Sequence, residues 1–525
     1  MSAVVTAFPL PVAKEIIVRN PANGAEVGRA PIATPEEVTV AVARARAAQV
    51  AWAALSFKER ARYIMRAREV ILEELDAIAR LISDEIGKPV AESLLHELSP
   101  ALDLMQYFAR QTEKLLRPEK IDLGQYGLMG RASRVVYHPV GVVGIIAPWN
   151  FPWATPLGEI VPALMAGNGV VLKPSELTPL TALKIAEVLQ KAGLPEGLFS
   201  VVNGYGETGA ALIAARPDKI MFTGSTATGK KIAAAAAEHL IPVVLELGGK
   251  DPMVVCEDAN VEVAARAAVF GAFANAGQVC ASVERCYVHE TIAPQFIARV
   301  VEETKKLRVN TPQTVEHEIG SMSSERQVEI VEAHVADARS RGAEILTGGR
   351  RAPNLNGAFY EPTVLTQVNH TMDIMRDETF GPVLPIQTFK TKAEALKLAN
   401  DTIFGLTAMV FTRDTKRGQR LAQQIMAGTV MVNEVLYTHS IAATPWGGFK
   451  QSGYGRTHGR AGLLEMVAPQ HVHINRVSFM PDLWWFNYSR TAIELFRGFS
   501  RRFASGSVFQ TVLLLPQMLK RMREK

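Results

Sequence analysis

The run VVGIIA at residues 142–147, answered by GVVLKP at 169–174, decides the fold. Each run is short, apolar or β-branched, and stops at a proline or a turn residue. The same pattern returns in LFSVVN at 198–203, KIMFTG at 219–224 and PVVLELGG at 242–249, with helical stretches such as 182–192 and 230–238 between them. Continuous apolar runs spaced by helices are the signature of strands buried on both faces of a parallel sheet. A second block of this kind starts near Met253 and runs to about Trp446, with strand candidates in CYVHE, LPIQTF, TAMVFT and GTVMVN. The expected class is α/β.

Upstream, Thr34-Pro-Glu-Glu joins a cap residue to proline at the first helical position and to acids in the first turn, which predicts a helix start. Helical periodicity continues over 59–82 and 94–115, broken at Gly87-Lys88-Pro89. The chain has 525 residues, 48% hydrophobic and 21% charged, enough for two or more domains with real cores, and this excludes disordered and collagen-like classes. Its 57 basic and 52 acidic residues leave a formal charge of +5, so the body carries no nucleic-acid signature and no nucleic-acid partner is expected. Three cysteines, Cys256, Cys280 and Cys286, cannot form a disulfide framework, which points to a reducing, cytoplasmic setting. The first residues, MSAVVTAFPLPVAKEIIV, place no basic residue ahead of their apolar stretch and do not resemble a secretory signal.

From about Asp482 the composition changes: LWWFNYS, then Arg490, Arg497, Arg501 and Arg502, then VLLLP, then Lys520, Arg521, Arg523 and Lys525. Polar residues interrupt the uncharged stretch, which is shorter than the ~20 apolar residues a spanning helix needs. Two readings stand: a basic amphipathic segment on an anionic membrane surface, or a tail that packs on protein.

Cys280 follows Ala-Gly-Gln-Val at the junction of a helical stretch and the CYVHE strand, outside any apolar run, whereas Cys256 and Cys286 lie inside such runs and read as core. Glu246 ends an apolar strand ahead of two glycines, where active-site groups of open α/β sheets lie, although a cap or ion-pair role is equally open to it. Asn150, in Pro148-Trp149-Asn150-Phe151-Pro152, offers an amide that could hold an oxyanion or simply close a turn. Gly204-Tyr-Gly206-Glu-Thr-Gly209 fits a dinucleotide fingerprint but lacks the acidic residue that should follow about twenty positions on. Gly224-Ser225-Thr226-Ala-Thr228-Gly229 leaves a helix N-terminus open to a phosphate. Lys173-Pro174-Ser175-Glu176 offers a cation and a carboxylate at a strand end, or a solvated loop with a cap.

Seven segments in this order resemble the aldehyde dehydrogenase superfamily over about residues 15 to 475: PWNFP, KPSE, FTGSTATG, LELGGKDP, GQVC followed by Arg285, ETFGP at 378–382 and PWGGFKQSG at 445–453. The resemblance implies a Rossmann-like dinucleotide-binding domain, a second α/β catalytic domain and a small β oligomerisation arm. It implies Cys280 as nucleophile, Glu246 as general base, and Asn150 with the Cys280 backbone N–H as oxyanion hole. NAD, with NADP as the alternative, would contact Ile146, Pro148, Trp149, Lys173, Ser175, Glu176, Gly206, Phe222, Gly224, Ser225, Thr228, Leu247, Glu378 and Phe380; no metal is implied. Glu246 places the chain in the hydrolytic branch rather than one that passes its acyl group to coenzyme A.

The expected domains are 1–117 with 140–248 for the cofactor, 249–466 for catalysis, 118–139 with 467–478 as the arm, and 479–525 as a basic extension. A homodimer or homotetramer is implied. The substrate reads as a small-molecule aldehyde, long-chain or aromatic, with succinate semialdehyde as the alternative. An inactive scaffold, or a cysteine hydrolase pairing its thiol with histidine, are readings of other classes; no histidine lies in the motif-bearing segments to support the second.

Overall fold

The computed structural model describes residues 14–311, 316–479, 481–506 and 512–524. The first thirteen residues, which carry the leader reading, and parts of the basic extension lie outside the described residues. The chain divides into two compact units, Met1–Leu115 with Pro139–Val467, and Leu116–His138 with Ala468–Lys525.

The first unit holds two large sheets. One has the strand order Gly453–Tyr454, Val243–Glu246, Lys219–Thr223, Val142–Ile146, Gly169–Lys173, Phe199–Val201, parallel except for the short Gly453–Tyr454 strand. Every residue of Val142–Ile146 and of Gly169–Lys173 is buried, because helices cover both faces. The order runs out from Val142–Ile146 in both directions, so the chain reverses there, the arrangement of a Rossmann-like sheet. The helix Pro35–Ala54 starts as its sequence predicts, with Thr34 and Glu37 closing a reciprocal cap, and buries Trp52, whose indole N–H donates to the Leu164 carbonyl at 2.8 Å.

The other sheet has seven strands in the order Glu344–Thr347, Thr363–Thr366, Val383–Phe389, Arg285–His289, Pro252–Val255, Thr407–Phe411, Thr429–Val432, with only Glu344–Thr347 antiparallel to its neighbour. Its core gathers Val254, Tyr287, Val288, Leu384 and Met409 against the helices Val261–Phe273 and Glu325–Ser340. Glu246 ends the last parallel strand of the first sheet, and Pro252 opens the central strand of the second. The two sheets are therefore joined by five residues, Leu247 to Asp251, and the site grows around that joint.

The second unit carries a three-stranded sheet in the order Val467–Asn475, Arg131–Pro139, Glu119–Ile121, and the helices Arg490–Ala504 and Leu515–Arg523. Residues 131–137, RASRVVY, read in sequence as an edge strand carrying basic residues, but they form the central strand of this sheet. Its charges project from the strand's faces, where they do not block pairing; Arg131 meets the Asp482 carboxylate and lies over the Trp484 ring.

Candidate active site

The first sheet's chain reversal puts a crevice outside the carboxyl ends of Val142–Ile146 and Lys219–Thr223, the place where open α/β sheets take ligands. Pro148, Trp149 and Asn150 leave one strand end, Gly224 and Ser225 the other, and Glu246, Leu247 and Gly248 the strand beside it. Together with Cys280, Glu378 and Phe380 from the second sheet's side they line one cavity of about 350 Å³. Trp149 and Phe380 meet edge to face at 5.4 Å.

Cys280 is carried on an unusual turn. After the helix Val261–Phe273, Asn275, Ala276 and Gly277 take φ of 51°, 53° and 75° in succession. Left-handed conformations cost non-glycine residues about 1–3 kcal/mol each unless their surroundings hold them. Here the Glu92 carboxylate accepts the Asn275 backbone N–H at 2.9 and 3.1 Å, and the Asn275 side-chain amide donates to the carbonyls of Asn150 (3.1 Å) and Gln278 (3.2 Å). Gln278 Oε1 in turn accepts the Ser323 N–H and hydroxyl at 2.9 Å each. Gly277 packs so closely on the Gly381 carbonyl that a Cβ could not fit.

Asn150 is buried and its Nδ2 donates to the Gln278 carbonyl at 3.1 Å, two residues before Cys280. Its own carbonyl accepts Lys88 Nζ at 3.0 Å. Lys88 pairs with Glu97 at 2.8 Å, both side chains fully buried, and the other Glu97 oxygen accepts the N–H groups of Trp153 and Ala154 at 3.1 and 2.8 Å. The stretch that read only as a helix break thus supplies the cation under the PWNFP turn.

Glu246 is buried, and its Oε1 has no hydrogen-bond partner. Burial lifts its carboxyl to about 8, with the Arg456 charge and a hydrogen bond from Trp446 pulling the other way. Glu159, from the helix Ala154–Ala166, lines the same cavity; its Oε2 is also unpartnered, and Oε1 lies 3.4 Å from the Thr223 hydroxyl. Burial, then the charge of Glu246, raises it to about 8. The Cys280 thiol is pushed up by burial and next by the carboxyls of Glu246, Asp251 and Glu378. Glu378, raised to about 8 by burial and then by Glu284, accepts the Gly249 N–H at 3.0 Å. Both glycines of LELGGKDP are needed: a Cβ on Gly248 would collide with the Glu378 carboxylate, and one on Gly249 would come within 2.6 Å of the Cys280 carbonyl.

Of the predicted site residues, the cavity gathers Pro148, Trp149, Asn150, Gly224, Ser225, Glu246, Leu247, Cys280, Glu378 and Phe380. Ile146, Phe222, Lys173, Ser175, Glu176, Thr228 and Gly206 are not among its lining. Ile146 and Lys173 end their strands, Phe222 lies one residue from the end of its own, and Ser175 and Glu176 follow Lys173, whose Nζ is 3.8 Å from the Glu176 carboxylate. Thr228 sits in the first turn of Thr226–Ala237, capped by Ser225, and Gly206 starts the helix Gly206–Ala214.

Sequence reading missed Glu159 and three histidines. His96, His439 and His458 line the cavity, although, as expected, none lies in a motif-bearing segment. They arrive from separate stretches, and their convergence has no local signal. Burial drives His96 and His439 down to about 4, and His458 well below its usual value, so all three are neutral imidazoles near pH 7. Glu159 did leave a trace, as the lone acid in the otherwise apolar ATPLGEIVPALMA. Among the described residues the only grouping close enough to hold a metal is Cys256, Glu257 and Asp258; both its carboxylates already take Arg417, and Asp258 also takes the Thr412 hydroxyl.

A Rossmann-like sheet joined to a second α/β sheet, with a thiol and two carboxyls that each keep one oxygen without a partner sharing a cavity at the joint, defines the class of protein. Residues 11–472 match the aldehyde dehydrogenase family. The 4,4'-diapolycopene aldehyde oxidase of Methylomonas sp is 39% identical over 481 residues, 91% of this chain and 89% of that one. Among solved structures, succinate-semialdehyde dehydrogenase from Burkholderia pseudomallei superposes with a TM-score of 0.84 at 35% identity, covering 88% of this chain and 94% of that one. Betaine aldehyde dehydrogenase from Staphylococcus aureus, in complex with NAD+, gives 0.85 at 34% identity over 90% and 94%. The chain belongs to the aldehyde dehydrogenase family, and it is an oxidoreductase acting on the aldehyde group.

Proposed function

We propose that this protein oxidises a neutral, largely apolar aldehyde to its carboxylic acid through a thioester on Cys280, with NAD(P) as cofactor. The observation that carries the reading is the shared cavity of Cys280, Glu246 and Asn150, whose lining includes no lysine or arginine among the described residues.

The residues at the chain reversal suit a dinucleotide. Gly224 leaves space that a side chain would take from the Phe222 ring, with a Cβ only 2.6 Å from it, and Ser225 opens a helix N-terminus toward the crevice. Lys173 and Glu176 would take the adenosine ribose and Glu378 the nicotinamide ribose; the Glu176 carboxylate would repel a 2′-phosphate, which favours NAD over NADP. Bound there, the cofactor supplies the hydride acceptor.

In the proposed reaction Cys280 Sγ adds to the carbonyl carbon and its proton passes to a neighbouring carboxylate. The Asn150 amide and the Cys280 N–H steady the alkoxide; one such donor typically contributes ~2.7–4 kcal/mol. After hydride loss water attacks the thioester; the acid is released, the Cys280 sulfur leaves as thiolate and recovers the proton it first gave up, and Glu246 holds the proton taken from the water. Glu159, with an unpartnered oxygen in the same cavity, is placed to receive that proton.

Phe151, Val279, Leu406, Leu436 and Trp446 give the cavity apolar walls, and its ionisable lining is carboxyls and neutral imidazoles. An aldehyde carrying its own carboxylate would find no cation there, which favours a long-chain or aromatic substrate over succinate semialdehyde. The proposal extends to assembly as a homodimer or homotetramer through the three-stranded arm, in the cytoplasm.

Purified protein, NAD and an aldehyde panel test this. NADH should accumulate with decanal or benzaldehyde at a kcat/KM roughly tenfold or more above that for succinate semialdehyde. Cys280→Ala should abolish the signal; an undiminished signal would remove Cys280 from the chemistry, and a preference for succinate semialdehyde would overturn the substrate class.

A further inference from the structure

The second unit has a surface that the reaction does not use. Residues 482–525 hold eight basic and three acidic side chains, which accounts for the whole formal charge of +5 and leaves the rest of the chain balanced. The same end of the chain concentrates apolar exposure: eleven of the twenty-eight large hydrophobic side chains exposed among the described residues fall between Phe479 and Met522, with Phe479 at 80% and Phe486 at 84%.

The two helices explain this. Arg490–Ala504 turns Ala492, Leu495 and Phe499 inward and shows Arg490, Arg497 and Arg501 along the opposite face at helical spacing. In Leu515–Arg523 the inward positions are Met518 and Arg521, with Leu514 just ahead of the helix; the buried Arg521 guanidinium is used on the carbonyls of Leu483 and Trp485. That leaves Leu515, Leu519 and Met522, spaced four and three apart, as an exposed apolar stripe with Lys520 and Arg523 beside it. The helices thus spend one face on their own small core and keep a second apolar stripe, with aromatic side chains from the Trp484–Tyr488 stretch and a surplus of cations around it.

We infer that this unit docks the protein on an anionic lipid bilayer, lying in the headgroup region without crossing it. Exposed Trp, Tyr and Phe suit the boundary between headgroups and acyl chains, and arginine and lysine suit the negative surface potential. No helix of the described residues is long and apolar enough to span a membrane. Apolar exposure on this scale separates a lipid surface from a purely charged polyanion, and the excess positive charge of residues 482–525 separates it from a second copy of this same basic helical face.

The test uses the full chain in flotation with vesicles of phosphatidylcholine alone or containing a third phosphatidylglycerol, with turnover of a water-soluble aldehyde as the folding control. Recovery should depend on phosphatidylglycerol and fall as salt shortens the Debye length. Arg490→Glu, Arg497→Glu and Arg501→Glu together should weaken apparent binding roughly 100-fold or more, about fivefold for each of the three cations lost and further for the acids gained, with turnover unchanged. Phe479→Ser with Phe486→Ser should also lower recovery while preserving the salt dependence. Absence of flotation with either vesicle, or equal recovery of wild type and the charge-reversed variant, would overturn the inference. So would a Phe479→Ser/Phe486→Ser variant that changes the oligomer's mass in solution but binds vesicles as wild type does, because a second copy of the chain would then be the occupant.

Discussion

Glu97 and Glu246 are both buried carboxyls of the same unit, yet their surroundings differ. Glu97 takes Lys88 on one oxygen and two helix N–H groups on the other, and Glu284 likewise takes Lys250 at 2.6 Å with the N–H groups of Thr379 and Phe380 at 3.2 and 2.9 Å. Glu246 and its neighbour Glu159 each keep an oxygen without a partner, and each is lifted to about 8. A buried carboxylate matched at both oxygens is scaffold: it fixes backbone and gains nothing by changing charge. A carboxyl left short of partners beside a cavity sits where a proton can be taken up and given back near neutral pH. The contrast separates the residues that hold Asn150 and Phe380 in place from those proposed to act.

The contrast can be broken most sharply at Glu246. Glu246→Gln should retain a burst of NADH in rapid mixing but lose ~10²–10⁴-fold in steady-state turnover; equal steady-state rates would remove its proposed role. Lys88→Met should strand the Glu97 charge and cost about 3–5 kcal/mol of stability, read as a lowered denaturation midpoint, while a neutral effect would show that this pair is not scaffold. The pH profile should be next in size. A carboxyl raised to about 8 is neutral below that pH and a base above it, so kcat should climb through about pH 8; Glu159→Gln, which removes a coupled acid, should move that limb to lower pH. The smallest effect should be thermal. The raised Glu159 carboxyl stabilises the fold fully below its ordinary range, and that contribution is lost as pH rises through about 8. Glu159→Gln should therefore melt as wild type near pH 4 and roughly 2–4 °C higher above pH 8.

What could be read from the sequence divides along the same line. Strand ends were legible because parallel strands are continuous apolar runs that stop at Pro, Gly or Asn, and Asn150, Gly224 and Glu246 lie at or just past such stops. The Cys280 turn was legible as a turn, but its left-handed run was not, since Ala276, between Asn275 and Gly277, does nothing to advertise that conformation. Lys88, Glu97 and the three cavity histidines were hidden because each meets its partners across distant parts of the chain, with nothing local to mark the encounter. The strands Glu344–Thr347 and Thr363–Thr366 escaped for a different reason: EILT and TVLT each hold only two apolar residues in a row, between polar ones, so no apolar run marks them. The central position of RASRVVY in the arm also depended on a strand more than three hundred residues away.

The environment of Cys280 bears on how the protein ages. Peroxides oxidise thiolates far faster than thiols, and here burial and three nearby carboxyls keep the sulfur protonated at rest. The idle protein is consequently a poor scavenger of oxidants: hydrogen peroxide at ordinary pH should consume it slowly, and the sulfur's shelf life is set first by its burial and then by the same carboxyls that surround it in use.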